Sequence, residues 1–138
     1  MLLLKNPKVF SAFWFSIFGF ISSGIVFLHS RDPIAFVALT LIASAAAGYY
    51  VGSRILMSLE AKTRKKAALC GLFTTLVAHV IFATLYVAYL VLFTEAKVNI
   101  GFVFLAAPLS LLIMGVYTLP MGMLAGMILS LLRKRATI

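Results

Sequence analysis

The sequence predicts an all-α integral membrane protein with four transmembrane helices, both termini cytoplasmic and short outer loops. Three observations lead to this fold class. Apolar residues make up 64% of the 138 residues and charged residues 11%, with a mean hydropathy of +1.15, whereas a soluble domain is about half apolar and a quarter charged. The apolar residues form four long runs without a charge, and the basic residues lie between these runs. Lipid is therefore the expected solvent for the surface of the molecule.

The four uncharged apolar runs cover residues 9–28, 34–53, 67–94 and 98–132. A helix needs about 20 residues to cross the hydrocarbon core of a bilayer, and each run is at least that long. We therefore predict a single four-helix domain over residues 1–138. Its spans are predicted at about 9–28, 34–57, 67–93 and 104–132.

Each span has its own local signals. The first run follows basic residues as a signal peptide does, but it ends in "HSRDP" without a small-residue cleavage pattern, so we interpret it as a retained span. The last run is longer than one simple span requires. Pro108 is predicted to begin its helix, because proline suits the first turn. Pro120 lies inside the helix and should either kink it or free the carbonyl near Val116, one turn earlier.

The basic residues predict the orientation. With four spans, ten of the 12 Lys and Arg residues fall on the side of the termini and only Arg31 and Lys97 on the other. The positive-inside rule then makes both termini cytoplasmic, in the cytoplasmic (inner) membrane. The predicted partner of the loop at residues 57–66 and of the tail at 133–135 is the lipid bilayer, through anionic phospholipid headgroups. Nucleic acid is not predicted as a partner, although the net charge is +9.

Small residues at intervals of four predict tight contacts between the helices. Two of the spans contain a GxxxG pattern, "GYYVG" with Gly48 and Gly52, and "GMLAG" with Gly122 and Gly126. Small residues let helix backbones approach closely in lipid. Both patterns lie in the cytoplasmic half of their spans, so spans two and four could touch there, or either pattern could form a homodimer.

His79 marks a candidate polar centre inside the membrane. It continues a stripe of small residues in span three, so it should point into the bundle. Five hydroxyl residues are predicted to belong to this centre: Thr75 one turn away on the same stripe, and Ser23, Ser44, Tyr117 and Thr118 of the other spans at comparable depth. An ionisable residue in a span suggests a proton or ligand site. The alternative is a neutral histidine that holds helices in register through hydrogen bonds.

No residue pattern predicts enzymatic activity, a metal site or a cofactor. The chain has none of the common catalytic motifs, one cysteine, and no acidic residue inside a span. The first functional hypothesis is an accessory, regulatory or assembly subunit, or a homo-oligomer, that works through helix contacts with a membrane-protein partner or a second copy. A small oligomeric transporter or channel centred on His79 is the alternative, and a holin-like or immunity-type protein is a third class.

Overall fold

The computed structural model describes residues 6–24, 32–57, 63–94, 99 and 101–136, and this part of the chain is all-helical, as predicted. We number four helices: α1 (Pro7–Gly24), α2 (Pro33–Met57), α3 (Arg64–Phe93) and α4 (Phe102–Ala136). In α2, α-helical turns over Pro33–Ala47 and Arg54–Met57 flank a π-helical turn at Gly48–Gly52. The loops around "HSRDP" and "TEAKVN" lie mostly outside the described residues.

Three of these helices are long and apolar enough to cross a membrane: Pro33–Met57, Arg64–Phe93 and Phe104–Arg135. They are compatible with a multi-pass membrane protein. Helix α1 is described over 18 residues and begins with a proline and a lysine, which lowers its mean hydropathy. Residues 25–28 of the predicted first span lie outside the described residues. The four-span topology and its orientation therefore stay predictions.

The helix starts have identifiable local causes. The Asp32 side chain accepts the Ala35 N–H at 3.1 Å and so caps α2, with a proline in its first turn. Helix α4 begins at Phe102, whose N–H donates to the Asn99 carbonyl at 2.8 Å. The prediction that Pro108 begins this helix is wrong. The turn at Asn99 starts the helix earlier, and a proline inside it removes only one backbone hydrogen bond.

The helices pack around two apolar clusters. The basic-end cluster lies where basic residues flank the helices, and the far-end cluster lies towards the start of α2 and the end of α3. The first takes residues from all four helices, and the second takes none from α1. Their buried members are Phe15, Ile55, Leu56, Ala67, Ala125 and Leu129, and Phe36, Ala43, Phe82 and Met114, respectively.

Polar contacts tie the helices together at both ends. At the basic end, the Trp14 indole N–H donates to the Ala125 carbonyl at 3.1 Å, and Arg133 donates to the Ile55 carbonyl at 3.0 Å. At the far end, the Tyr89 hydroxyl donates to Asp32 at 2.6 Å. These contacts join α1 to α4, α2 to α4, and α2 to α3.

The two GxxxG patterns contact different neighbours. Gly122 and Gly126 pack on α3 at Gly71, where a methyl group on Gly71 would overlap the Gly122 carbonyl oxygen. Gly48 packs on α1 instead: a methyl group there would lie 2.7 Å from the Ser11 carbonyl oxygen. Gly52 also faces α1. The two patterns thus do not meet each other, because each one packs on another helix of the bundle.

Candidate functional site: a polar centre around His79

His79 lies near the middle of α3, and its side chain is only 6% exposed. The small residues one and two turns away on the same face explain this position. Gly71 and Ala83 are buried as well, because residues four apart share a helix face. The imidazole is therefore enclosed by the bundle, at the depth where α4 passes α3.

Both ring nitrogens of His79 have a hydroxyl partner on α4. Nδ1 lies 3.1 Å from Ser110 Oγ, and Nε2 lies 2.7 Å from Thr118 Oγ1. Ser110 donates its own proton to the Ala107 carbonyl at 2.9 Å, so it must accept from His79. The tautomer that satisfies all of these groups carries its proton on Nδ1, with Nε2 accepting the Thr118 hydroxyl proton. This chain of hydrogen bonds holds a neutral imidazole with no free donor or acceptor.

A cavity of about 60 Å³ lies beside this imidazole, between the two apolar clusters. Four of the five predicted hydroxyl residues line it with His79, namely Ser23, Ser44, Thr75 and Thr118. All four helices contribute to its wall, which also contains phenylalanine and methionine side chains. A mostly apolar cavity with a few polar groups is the usual form of a small-molecule site.

Tyr117 does not belong to this group, although its depth in the span suggested that it would. Its side chain is 51% exposed and does not line the cavity. Tyr117 and Thr118 are adjacent, and neighbouring positions on a helix point about 100° apart. The structure turns Thr118 towards His79 and Tyr117 towards the surface of the bundle.

Ser110 is a site residue that depth alone did not identify. It lies two turns before Thr118, yet both side chains reach the same imidazole, one at each nitrogen. The eight-residue spacing that puts both on one face of α4 was the available signal. The predicted helix start at Pro108 obscured it, since Ser110 then fell in the first turn.

The charged groups of the described residues lie at the ends of the bundle, away from His79. Asp32 is the one acidic residue in the described ranges, at the far end of the bundle. The hydrogen bond from Tyr89 and that from the Ala35 N–H hold the pKa of its carboxyl below the usual value. Within the described residues, no three His, Cys, Asp or Glu side chains come together to hold a metal ion. The lone Cys70 is partly buried.

No protein-family model, curated protein or solved structure matches the chain. The functional assignment therefore depends on the chemistry of the His79 site and on the faces that the helices leave exposed. Two features carry information: the cavity beside His79, and the position of Tyr117 on α4.

Proposed function

We propose that the protein is a non-enzymatic membrane protein that works through helix contacts, as an accessory, regulatory or assembly subunit or as a homo-oligomer. Its contact surface is an exposed stripe of α4, which we call the Tyr117 face. The stripe is apolar except for one hydroxyl. Its members are Leu109, Leu112, Ile113, Val116, Tyr117 and Pro120.

The Tyr117 hydroxyl is the observation that carries this proposal. Tyr117 lies about 22 Å along the axis from the start of α4 and about 28 Å from its end, at 1.5 Å per residue. It is half-exposed, and its hydroxyl has no hydrogen-bond partner among the described residues. An unpaired polar group in hydrocarbon costs several kcal/mol. A neighbouring helix that offers an acceptor would remove this cost.

The small-residue faces of the helices also favour the Tyr117 face as the contact surface. Both GxxxG patterns are occupied inside the chain, by α1 and by α3, so neither is free for a partner without rearrangement. The exposed valine, leucine and isoleucine side chains of the Tyr117 face could pack against a second helix through dispersion forces. The proposed partner is therefore a transmembrane helix with a hydrogen-bond acceptor at mid-depth.

We place this protein in the cytoplasmic membrane as a four-span protein with both termini cytoplasmic. The ten-to-two distribution of basic residues supports this orientation. Anionic headgroups would then contact the exposed Arg54, Arg64 and Lys134.

Site-specific photocross-linking tests the Tyr117 face. A benzophenone amino acid replaces Val116, which is 71% exposed, and in a matched protein it replaces Val80, which is 53% exposed near the middle of α3. After illumination of native membranes, we expect a protein adduct from position 116 and only lipid adducts from position 80. The mass of the adduct distinguishes a second copy from another protein. Lipid adducts alone at position 116 would overturn the proposal.

The hydroxyl itself is tested by Tyr117→Phe, with Tyr50→Phe as the matched control. Tyr50 is 72% exposed, but it lies four residues from Arg54, where its hydroxyl can reach the interface. Interhelical hydrogen bonds in membranes contribute about 0.6 kcal/mol on average. We expect Tyr117→Phe to lower the adduct yield from position 116 by about threefold and Tyr50→Phe to leave it unchanged. Equal effects would contradict the assignment.

A small oligomeric transporter or channel is the second candidate, and the cavity beside His79 is the observation that favours it. The saturated hydrogen bonds of the imidazole argue against a proton relay, because a relay needs a group that exchanges its proton. Flux measurements in liposomes that contain the purified protein test this candidate. Proton flux that His79→Gln abolishes would favour transport over the contact role.

A further inference from the structure

The cavity beside His79 presents an unusual wall to any molecule inside it. Each of its serine and threonine hydroxyls has one proton to donate. Those of Ser22, Ser23, Thr40, Thr74 and Thr75 all donate that proton to a backbone carbonyl three or four residues earlier, at 2.7 to 3.1 Å. Towards the cavity these hydroxyls can therefore only accept a hydrogen bond.

His79 and Thr118 complete this pattern. The Nδ1 proton of His79 goes to Ser110, and the Thr118 proton goes to Nε2. Thr118 keeps lone pairs on its oxygen, and the imidazole keeps no free proton. The known donors around the cavity are thus directed into the protein, and the oxygens that remain are acceptors.

Ser44 is the exception. It lines the cavity, it is 9% exposed, and its hydroxyl has no hydrogen-bond partner in the described part of the chain. It also packs against Gly19 of α1 so closely that a methyl group on Gly19 would overlap the Ser44 hydroxyl. The Ser44 hydroxyl oxygen is accessible from the cavity, so a bound molecule that contacts it would supply a hydrogen bond that the described part of the chain does not.

The apolar part of the wall sets the rest of the ligand chemistry. Phe18, Phe82 and Met114 line the cavity, and about 60 Å³ is far less than the 150 Å³ of an engineered cavity that binds benzene. The cavity can hold a hydroxyl and the first few carbons attached to it. Phe18 and Met121 on its α1 and α4 sides are only partly buried, so a longer chain can leave between these helices.

We propose that this cavity binds the head of a small neutral amphiphile, a primary alcohol, whose hydroxyl lies among Ser44, Thr75 and Thr118 while its apolar chain leaves between α1 and α4. The inference does not depend on the Tyr117 face, since residues from the four helices of one chain line the cavity. A ligand that donates a hydrogen bond meets several acceptor oxygens in this cavity, whereas one that only accepts can pair with the Ser44 hydroxyl alone.

Photolabelling with a matched pair of probes tests this site. The first is a short 1-alkanol with a diazirine on its chain, and the second is its methyl ether, which keeps the chain and loses the donor. We expect the alkanol to label residues that line the cavity, as mapped by mass spectrometry, and an excess of unlabelled alkanol to compete. A hydrogen bond contributes about 0.5–1.5 kcal/mol, so the ether should label about threefold to tenfold less.

Two variants assign the effect to the cavity hydroxyls. Ser44→Ala should lower labelling by both probes by about threefold to tenfold, since the Ser44 hydroxyl can donate to the oxygen of either one, and should leave the preference for the alkanol over the ether in place. Thr84→Val is the control, because Thr84 lies exposed on α3 and donates to the Val80 carbonyl in the same way as the cavity threonines. Equal labelling by both probes, or no label on the cavity residues, would overturn the proposal. The probe comparison on the unmodified protein decides this even if Ser44→Ala misfolds.

Discussion

His79 is fixed by two hydroxyls of a single helix, and this arrangement makes it a strong contact between α3 and α4. Ser110 and Thr118 act in opposite senses, one as acceptor and one as donor, so only one tautomer of the neutral imidazole fits. Histidine can act as a pH-sensitive group, but His79 here serves to hold α3 against α4. Most serine and threonine hydroxyls of the described helices donate to a carbonyl of their own helix, and His79 is one of the few polar side chains that connect two helices.

The His79 contact predicts a measurable coupling to Thr118. Interhelical hydrogen bonds in a membrane contribute about 0.6–1.7 kcal/mol, and His79→Leu removes two of them. We expect His79→Leu to lower the free energy of unfolding in bicelles by about 1–2 kcal/mol. In a double-mutant cycle with Thr118→Val, the coupling should be about 1 kcal/mol. Nitrogen NMR should find the proton on Nδ1. Additive effects of the two substitutions, or a proton on Nε2, would contradict the assigned network.

Asp32 predicts a pH dependence of stability at the far end of the bundle. Its pKa is lowered in the folded protein by the hydrogen bonds from Tyr89 and Ala35. The ionised carboxylate therefore stabilises the fold above its unfolded pKa of about 3.9, and this stabilisation is lost as the pH falls through the lower folded pKa. We expect the thermal unfolding midpoint in detergent to decrease as the pH is lowered from 5 to about 3. Asp32→Asn should lower the midpoint at pH 5 and reduce its dependence on pH. If the variant keeps the full pH dependence, Asp32 is not its source.

At the scale of the helices, α3 and α4 approach each other closely because glycines face carbonyl and hydroxyl oxygens across the interface. A methyl group on Gly122 would overlap the Thr75 hydroxyl, and one on Gly126 would overlap the Ala67 carbonyl oxygen. The glycine Cα–H groups thus point at oxygens, a contact that recurs at such interfaces and contributes modestly. This close approach also brings Thr118 within reach of His79.

The glycine interface predicts opposite effects for two alanine substitutions on the same helix. Gly122→Ala would force α3 and α4 apart, and overpacking of this kind costs about 1–3 kcal/mol. A methyl group on Gly115 would have Leu119 Cδ1 as its nearest neighbour at 3.5 Å, an ordinary contact, so Gly115→Ala should be neutral or stabilise by up to about 1 kcal/mol. Unfolding free energies in bicelles measure both. A similar loss of unfolding free energy in the two variants would contradict the prediction, because only Gly122 is expected to require the absence of a side chain.

The sequence predicts where the helices lie along the chain better than it predicts which helices pack together, for a physical reason. Length and hydropathy depend on local composition, so the long apolar helices that end at Met57 and Phe93 follow directly from the sequence. Depth counting also placed Ser44 and Thr118 near His79. The direction of a side chain around its helix depends on which helices pack together, and depth contains no such information. For that reason Tyr117 was grouped with the polar centre although it points outwards.

At the scale of the whole molecule, the helix ends that carry basic residues are also the ends that contact one another. Lys8 lies 5.5 Å from the ring of Tyr49, and Arg133 donates to the carbonyl of Ile55. The start of α1, the end of α2 and the end of α4 therefore meet at the basic end of the bundle. A membrane-spanning bundle with this arrangement has one strongly positive side, which the positive-inside rule assigns to the cytoplasm.

This arrangement predicts which introduced cysteines share a side of the membrane. In a Cys70→Ala background, which removes the only native thiol, cysteines replace Asn6, Arg135 and Asn99 one at a time. A membrane-impermeant maleimide should label positions 6 and 135 only in inverted vesicles, since basic helix ends stay cytoplasmic. It should label position 99, at the start of α4, only in right-side-out vesicles. If positions 6 and 135 are labelled from opposite sides, α1 does not cross the membrane. The chain then has three spans, the number that length and apolarity already support over the described helices.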